Sequence, residues 1–271
     1  MPELPEVEST VQYLRERVEG LSIQSAQVLW ERSIANNGAE TFSAQISGCR
    51  IKEIFRRGKF VGIRIVGKEE QFLYTHLRMS GSLDVLSTNI PLAPHDRVII
   101  FLSNGKTIRF NDTRKFGRMY LTSSSADFTS RIGVEPLSPD FTAENLRSIL
   151  GSKRGAIKTL LLNQSIIAGL GNIYVDESLW RAGIHPLTPC NRVSPERCKL
   201  LHKAIQTILS KAIALLGTDF GDGVVYGGMY RPLVYGRVGK PCRRCGSEIR
   251  RLVVSQRGTH VCPSCQRKPR K

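Results

Sequence analysis

Four cysteines near the C-terminus, Cys242, Cys245, Cys262 and Cys265, stand in a C-x2-C-x16-C-x2-C pattern that constrains the fold of this chain more than any other feature. Two x2 knuckles separated by about the length of a β-hairpin bring four thiolates around one tetrahedral Zn²⁺. Such a set leaves no open position for water, so the single zinc expected here is structural and takes no part in chemistry. Cys49, Cys190 and Cys198 lack this spacing and are expected as core or surface thiols. The start, MPELPEVEST, carries early acidic residues and no apolar h-region, so it reads as neither a secretion signal nor a transit peptide. Seven cysteines in a chain without an export signal favour metal ligation over disulfides, because the cytosol keeps thiols reduced.

Charge points to the partner. The net charge is +17, from 40 Lys and Arg against 23 Asp and Glu, which attracts polyanions and places nucleic acid first among partner classes. A membrane partner is not expected, since no apolar run approaches the roughly 18 residues of a spanning helix. The expected location is the cytoplasm, at the nucleoid. From Arg237 onward there are eleven Lys or Arg and one acid, Glu248, so the cysteine module repels itself unless an anion lies beside it. Arg257, in SQRGT between the cysteine pairs, falls at the tip of the expected hairpin, where it can enter a groove or clamp a phosphate.

Along the chain, Val7, Val11, Leu14 and Val18 recur at helical spacing behind Pro5 and before Gly20, which predicts a helix over 5–19 with residues 1–4 exposed ahead of it. Short runs rich in Val, Ile and Phe follow at 22–30, 49–55, 59–66, 71–77, 97–102 and 106–111, and predict a β domain. Asn104-Gly105 predicts a two-residue hairpin turn between the last two. The polar stretches 123–130 and 133–140 read as a linker. Helices are expected near 142–151, 155–163, 172–182 and 195–216, the last capped by Ser194 with Pro195 at its first position. AGLGN at 168–172 forces a tight turn ahead of a helix whose amides then suit a phosphate.

The N-terminus suggests chemistry. If Met1 is removed, the chain begins with the secondary amine of Pro2, and an α-amino group of pKa about 7.7–8.0 surrounded by positive charge is partly neutral at pH 7. Attack on a sugar C1′ by this amine forms an iminium, which acidifies the C2′ hydrogens and opens the way to strand scission. Glu3 stands ready to move the protons.

With PELPEVE at 2–8, RRGKF at 56–60, HLRMSG at 76–81, DTRKFG at 112–117, AGLGNIYVDE at 168–177 and the four-cysteine ribbon, the chain resembles formamidopyrimidine-DNA glycosylase essentially end to end. The resemblance implies an α+β multidomain protein. Its parts are an N-terminal β-sandwich domain with an N-terminal helix over 1–131, a helix-two-turns-helix domain with a lesion loop over 132–234, and a zinc finger with basic tail over 235–271. It also implies a repair enzyme that flips an oxidised purine, a formamidopyrimidine or 8-oxoguanine, out of damaged double-stranded DNA and then cuts the strand, since C1′ is unreachable within the stack; nothing in the sequence demands more than a monomer. By motif position Pro2 is the Schiff-base nucleophile, Glu3 the proton donor for base release, Lys59 the donor in β-elimination and Arg257 that in δ-elimination. Glu6 and Thr218 belong to the lesion pocket. Met79, Arg114 and Phe116 fill the hole left by the flipped nucleotide, an apolar wedge offsetting part of the unstacking cost. His76, His95, Lys153 and Asn172 contact DNA.

One stretch departs from the family. Where these enzymes have a Gly-Gly-Thr-Thr run and a longer Gly-rich loop, this chain reads LGTDFGDGVVYGGMYRP at 216–232, several residues shorter, and only Thr218 matches. The alternatives are a sister glycosylase for oxidised pyrimidines, which has Gly where this chain has Leu4, and a non-catalytic zinc ribbon that binds nucleic acid by charge alone.

Overall fold

The computed structural model describes residues 1–219 and 227–268, which fall into two compact units, one spanning Met1–Arg131 and the other beginning at Ile132.

In the first unit helix α1 (Leu4–Val18) opens on a capping box. The Glu3 carboxylate accepts from the backbone of Glu6, and the Glu6 side chain accepts from the Glu3 amide at 2.8 Å. This corrects the expectation of an exposed leader: only Met1 is exposed, while Pro2, Glu3 and Leu4 are buried. The reciprocal cap starts the helix one residue earlier and turns Leu4 inward.

Two four-stranded antiparallel sheets follow. One runs in the order β1 (Ile23–Val28), β6 (Asp96–Leu102), β7 (Lys106–Asp112), β5 (Gly81–Ser87); the other runs β2 (Arg50–Arg57), β3 (Phe60–Val66), β4 (Glu70–His76), β8 (Arg118–Thr122). Alternation along β6 sends Val98, Ile100 and Leu102 inward, β3 does the same with Val61, Ile63 and Ile65, and a register irregularity between Ile51 and Glu53 lets both Ile51 and Ile54 of β2 join them. Both inner faces and the apolar stripe of α1 (Val7, Val11, Leu14, Val18) meet in one core, which makes the unit a β-sandwich with an N-terminal helix.

The hairpin joining β6 and β7 is present, yet its loop has three residues, because Phe101 pairs with Thr107 and only Gly105 takes a positive φ, 73°. A glycine in that left-handed position is the usual partner of a three-residue loop, so the two-residue expectation is corrected. The expected linker contains a short helix, α3 (Ser125–Thr129), capped by Ser124, with Phe128 stacked on Tyr74. Helix α2 (Ala39–Ile46) and strands β5 and β8 are additional to the elements read from the sequence.

The second unit holds α4 (Ala143–Gly151), α5 (Ile157–Leu161), α6 (Asn172–Ala182), α7 (Pro195–Ala214) and the hairpin β9 (Arg250–Val254) and β10 (Arg257–Val261). Thr142 and Ser194 cap α4 and α7 through their hydroxyls, and α7 packs on α6 and α4. Helix α5 covers only part of the expected 155–163. Trp180 at the end of α6 packs with Val234, Ile249, Cys242 and Cys262, which joins the cysteine ribbon to the helical core. Cys49, Cys190 and Cys198 are all buried. Among the described residues no helix is long and apolar enough to cross a membrane.

Candidate active site and nucleic-acid interface

In the first unit the expected residues gather at two places. Pro2, Glu3 and Glu6 occupy the buried start of α1. The turn between β2 and β3 carries Lys59, which is 7% exposed, behind Gly58 at φ 56°, a left-handed conformation that admits a tight turn. Arg56 fastens this turn to α1 by donating to Glu8 at 3.0 Å and to the Gly58 carbonyl at 3.1 Å. His76 follows on the paired strand, opposite Phe60, with the two rings edge to face at 4.8 Å. Burial, with help from Arg78 and Lys59, pushes the His76 imidazole down to about 3. Its Nδ1 accepts from the Arg78 amide at 3.0 Å, so the neutral ring carries its proton on Nε2. His76 therefore presents a hydrogen-bond donor and no charge.

The second gathering is exposed. Met79 and Phe116 are each 50% exposed, Arg114 donates to the Met79 sulfur at 3.3 Å, and its guanidinium lies 5.1 Å from the Phe116 ring centre. Both loops are strained, since Arg78 and Lys115 adopt φ 58° and 59°. A residue that sequence reasoning did not single out holds them: Asp112, 1% exposed, accepts from Ser80 Oγ, from the Arg114 amide at 3.2 Å and from the Gly117 amide at 2.7 Å. The Asp112 amide donates to the His95 carbonyl at 2.9 Å, which draws His95 to the same edge. The signal was available, since an Asp opening a turn commonly accepts from amides two or more residues on.

In the second unit the glycine turn ahead of α6 is stapled by Gln164, whose side chain bonds the Gly169 amide and the Leu170 carbonyl. Asn172 opens the helix, and its Nδ2 donates to the Gly258 carbonyl of β10 at 2.8 Å, while among the described residues no donor reaches its buried Oδ1. Lys153 is exposed just beyond α4. Thr218 is buried with its hydroxyl 2.9 Å from that of Tyr174. The shortened 216–232 stretch lies partly outside the described residues.

The four cysteine sulfurs lie within 4.8 Å of one another, with individual separations of 3.4, 3.5 and 3.9 Å. Tetrahedral Zn²⁺ with Zn–S near ~2.3 Å places its sulfurs ~3.8 Å apart, so the residues fit the ion. Burial and the neighbouring sulfurs push the Cys265 thiol up to about 12, a crowding that a dication relieves, whereas Ser247 draws Cys245 down to about 6. Arg257 is exposed and begins β10 immediately beyond the turn Ser255-Gln256.

Three family profiles match in chain order. They are the formamidopyrimidine-DNA glycosylase N-terminal domain over residues 1–119, the formamidopyrimidine-DNA glycosylase H2TH domain over 132–221, and the zinc finger found in FPG and IleRS over 239–267. The chain belongs to the formamidopyrimidine-DNA glycosylase family. Relatives of that name from Protochlamydia amoebophila and Chloroflexus aurantiacus are 40% and 42% identical, the first over 99% of this chain and 100% of its own, the second over 98% of each. Solved structures with the same fold include a point mutant of Lactococcus lactis FPG with a Fapy-dG containing DNA, 37% identical at a TM-score of 0.92. The Lactococcus lactis Fpg complex with an abasic site containing DNA is 36% identical at 0.91, and each covers 98% of this chain and 100% of its own. This glycosylase family thus accounts for the sandwich, the helical domain and the four-cysteine finger together.

Proposed function

We propose that this member of the family is a bifunctional base-excision enzyme that removes oxidised purines, formamidopyrimidines and 8-oxoguanine, from duplex DNA and then cleaves the strand as an AP lyase. The observation that supports the reading is the buried, capped start of α1, which fixes Pro2 and Glu3 on the helix that Glu8 ties to Arg56, ahead of the turn bearing Lys59. With Met1 removed, the Pro2 nitrogen attacks C1′ of the flipped nucleotide as Glu3 protonates the departing base. The N,O-acetal so formed opens as the C1′–O4′ bond breaks and O4′ takes a proton, and the resulting iminium loses a C2′ proton while the 3′ phosphate leaves, with Lys59 supplying the proton of this β-elimination. Arg257 serves the δ-elimination that expels the 5′ phosphate. Glu6 supports the lesion pocket through the capping box, and Thr218 borders it.

Met79, Arg114 and Phe116 enter the vacated space, with Phe116 wedging the stack and Arg114 facing the orphaned base. Arg114 touches both Met79 and Phe116, which keeps the three side chains together for that task. His76, His95, Lys153 and Asn172 hold the backbone; Asn172 keeps one amide hydrogen for a phosphate while the other bonds Gly258. Zinc on Cys242, Cys245, Cys262 and Cys265 supplies structure alone. The domains divide at 131/132 and 234/235, and the enzyme acts as a cytoplasmic monomer.

The test is covalent trapping. Duplexes carrying a formamidopyrimidine, 8-oxoguanine or thymine glycol are incubated with the protein and borohydride. The expected result is a covalent adduct with the purine lesions, strongly reduced by Pro2→Gly and abolished by a tag retained ahead of Pro2, which turns the amine into an amide. Trapping by the tagged protein would overturn the nucleophile, and preference for thymine glycol would overturn the lesion class.

A further inference from the structure

The hairpin that bears Arg257 does not hold itself. Its two turn residues, Ser255 and Gln256, both adopt left-handed φ, 47° and 60°. Turns of this kind favour Gly, Asn or Asp, so the conformation is strained and depends on its surroundings. Those surroundings are polar and buried. Lys158 of α5 and Asp176 of α6 form an ion pair at 2.6 Å, and neither side chain has any exposed surface. The second carboxylate oxygen of Asp176 accepts from the backbone amide of His260 at 2.8 Å and from His260 Nδ1 at 3.1 Å. Two residues earlier on the same strand, the Gly258 carbonyl accepts from Asn172 Nδ2 at 2.8 Å and from Lys158 Nζ at 3.4 Å. At the turn itself the Ser255 hydroxyl lies 2.6 Å from that of Thr159.

We infer that Asp176 is a positioning residue for strand scission: with Lys158 it grips β10 at Gly258 and His260 and thereby fixes where Arg257 stands. The logic is chemical. A carboxylate taken out of water needs several donors, and Asp176 draws them from helix α5 on one side and from the strand on the other. Because Gly258 and His260 flank Thr259 on one strand, two grips define both the position and the tilt of β10. Losing the carboxylate removes the 2.6 Å ion pair to Lys158 and leaves the His260 amide without this acceptor, so the strained turn relaxes. The inference rests on the proposed role of Arg257.

The experiment uses the full-length, zinc-loaded protein on duplexes containing an abasic site. Asp176→Asn is compared with wild type for zinc content, for borohydride trapping, for hydrogen exchange over residues 255–260 and for the ratio of δ- to β-elimination product. The expected result is one zinc per chain, normal trapping, faster exchange in the hairpin, and a δ-product fraction reduced about 10- to 100-fold, as for a small misplacement of a reacting group. Unchanged exchange, or faster exchange with an unchanged product ratio, would overturn the inference, as would equal loss of trapping and δ-product. If Asp176→Asn loses zinc, the double variant Lys158→Gln with Asp176→Asn removes both buried charges and is judged by the same readouts. Arg257→Ala is the separate control: an intact δ-product there would sink the role of Arg257, while hairpin exchange still decides the role of Asp176.

Discussion

His76 illustrates how burial decides what a side chain can do. With its imidazole held near 3 by burial and by Arg78 and Lys59, it stays neutral where an ordinary histidine near 6.5 titrates. The depressed value means that the unfolded chain takes up a proton below 6.5 while the folded chain does not. Stability from this group is therefore present above pH 6.5 and is lost as the pH falls towards 3. His76→Gln should make urea midpoints measured at pH 7.5 and 5.0 converge relative to wild type. Asp112 acts at the same scale, as the acceptor that holds the Met79 and Phe116 loops. Asp112→Ala strands buried donors worth about 1–3 kcal/mol each. The expected outcome is a lower thermal midpoint and weaker binding to lesion duplexes, while trapping at high protein concentration persists.

At the scale of elements, close backbone approaches matter more than propensity. Gly133 donates to the Gln164 carbonyl at 2.8 Å, and a methyl group there would meet the Ile166 backbone at 2.2 Å. Gly133→Ala must push one segment off the other and should cost about 1–3 kcal/mol in urea unfolding. Gly151, the last residue of α4, has open space where a methyl group would sit, with no atom within 4 Å, so Gly151→Ala should be neutral or stabilise by up to about 1 kcal/mol. A larger loss at Gly151 than at Gly133 would contradict this view of the packing. Elements with caps and long apolar stripes, α1, α4, α6 and α7, were legible in the sequence within one or two residues. Helix α2 and strands β5 and β8 were not, because each is short and owes its form to neighbours.

For the whole molecule, charge and the four-cysteine ribbon set the behaviour. A net charge of +17 means that duplex binding releases counterions, so affinity should fall steeply and log-linearly with salt. The sandwich core is formed within the first unit, whereas the ribbon packs through Trp180, Val234 and Ile249 in the second. Chelation of zinc should therefore abolish DNA binding and loosen the β9–β10 hairpin. The near-ultraviolet circular dichroism of the sandwich aromatics, among them Tyr74 and Phe128, should remain.

What the sequence by itself determined is whatever depends on residues close along the chain. The two cysteine knuckles, the Ser194 cap with Pro195 and the glycine turn before α6 are of this kind, since ligand spacing, capping and turn formation are local. Tertiary structure alone decided that Glu3 and Leu4 are buried, that Met79, Arg114 and Phe116 touch, that His76 is neutral, and that Asp176 reaches β10. Each of these depends on partners distant along the chain, and on a dielectric that exists only once those partners have closed around it.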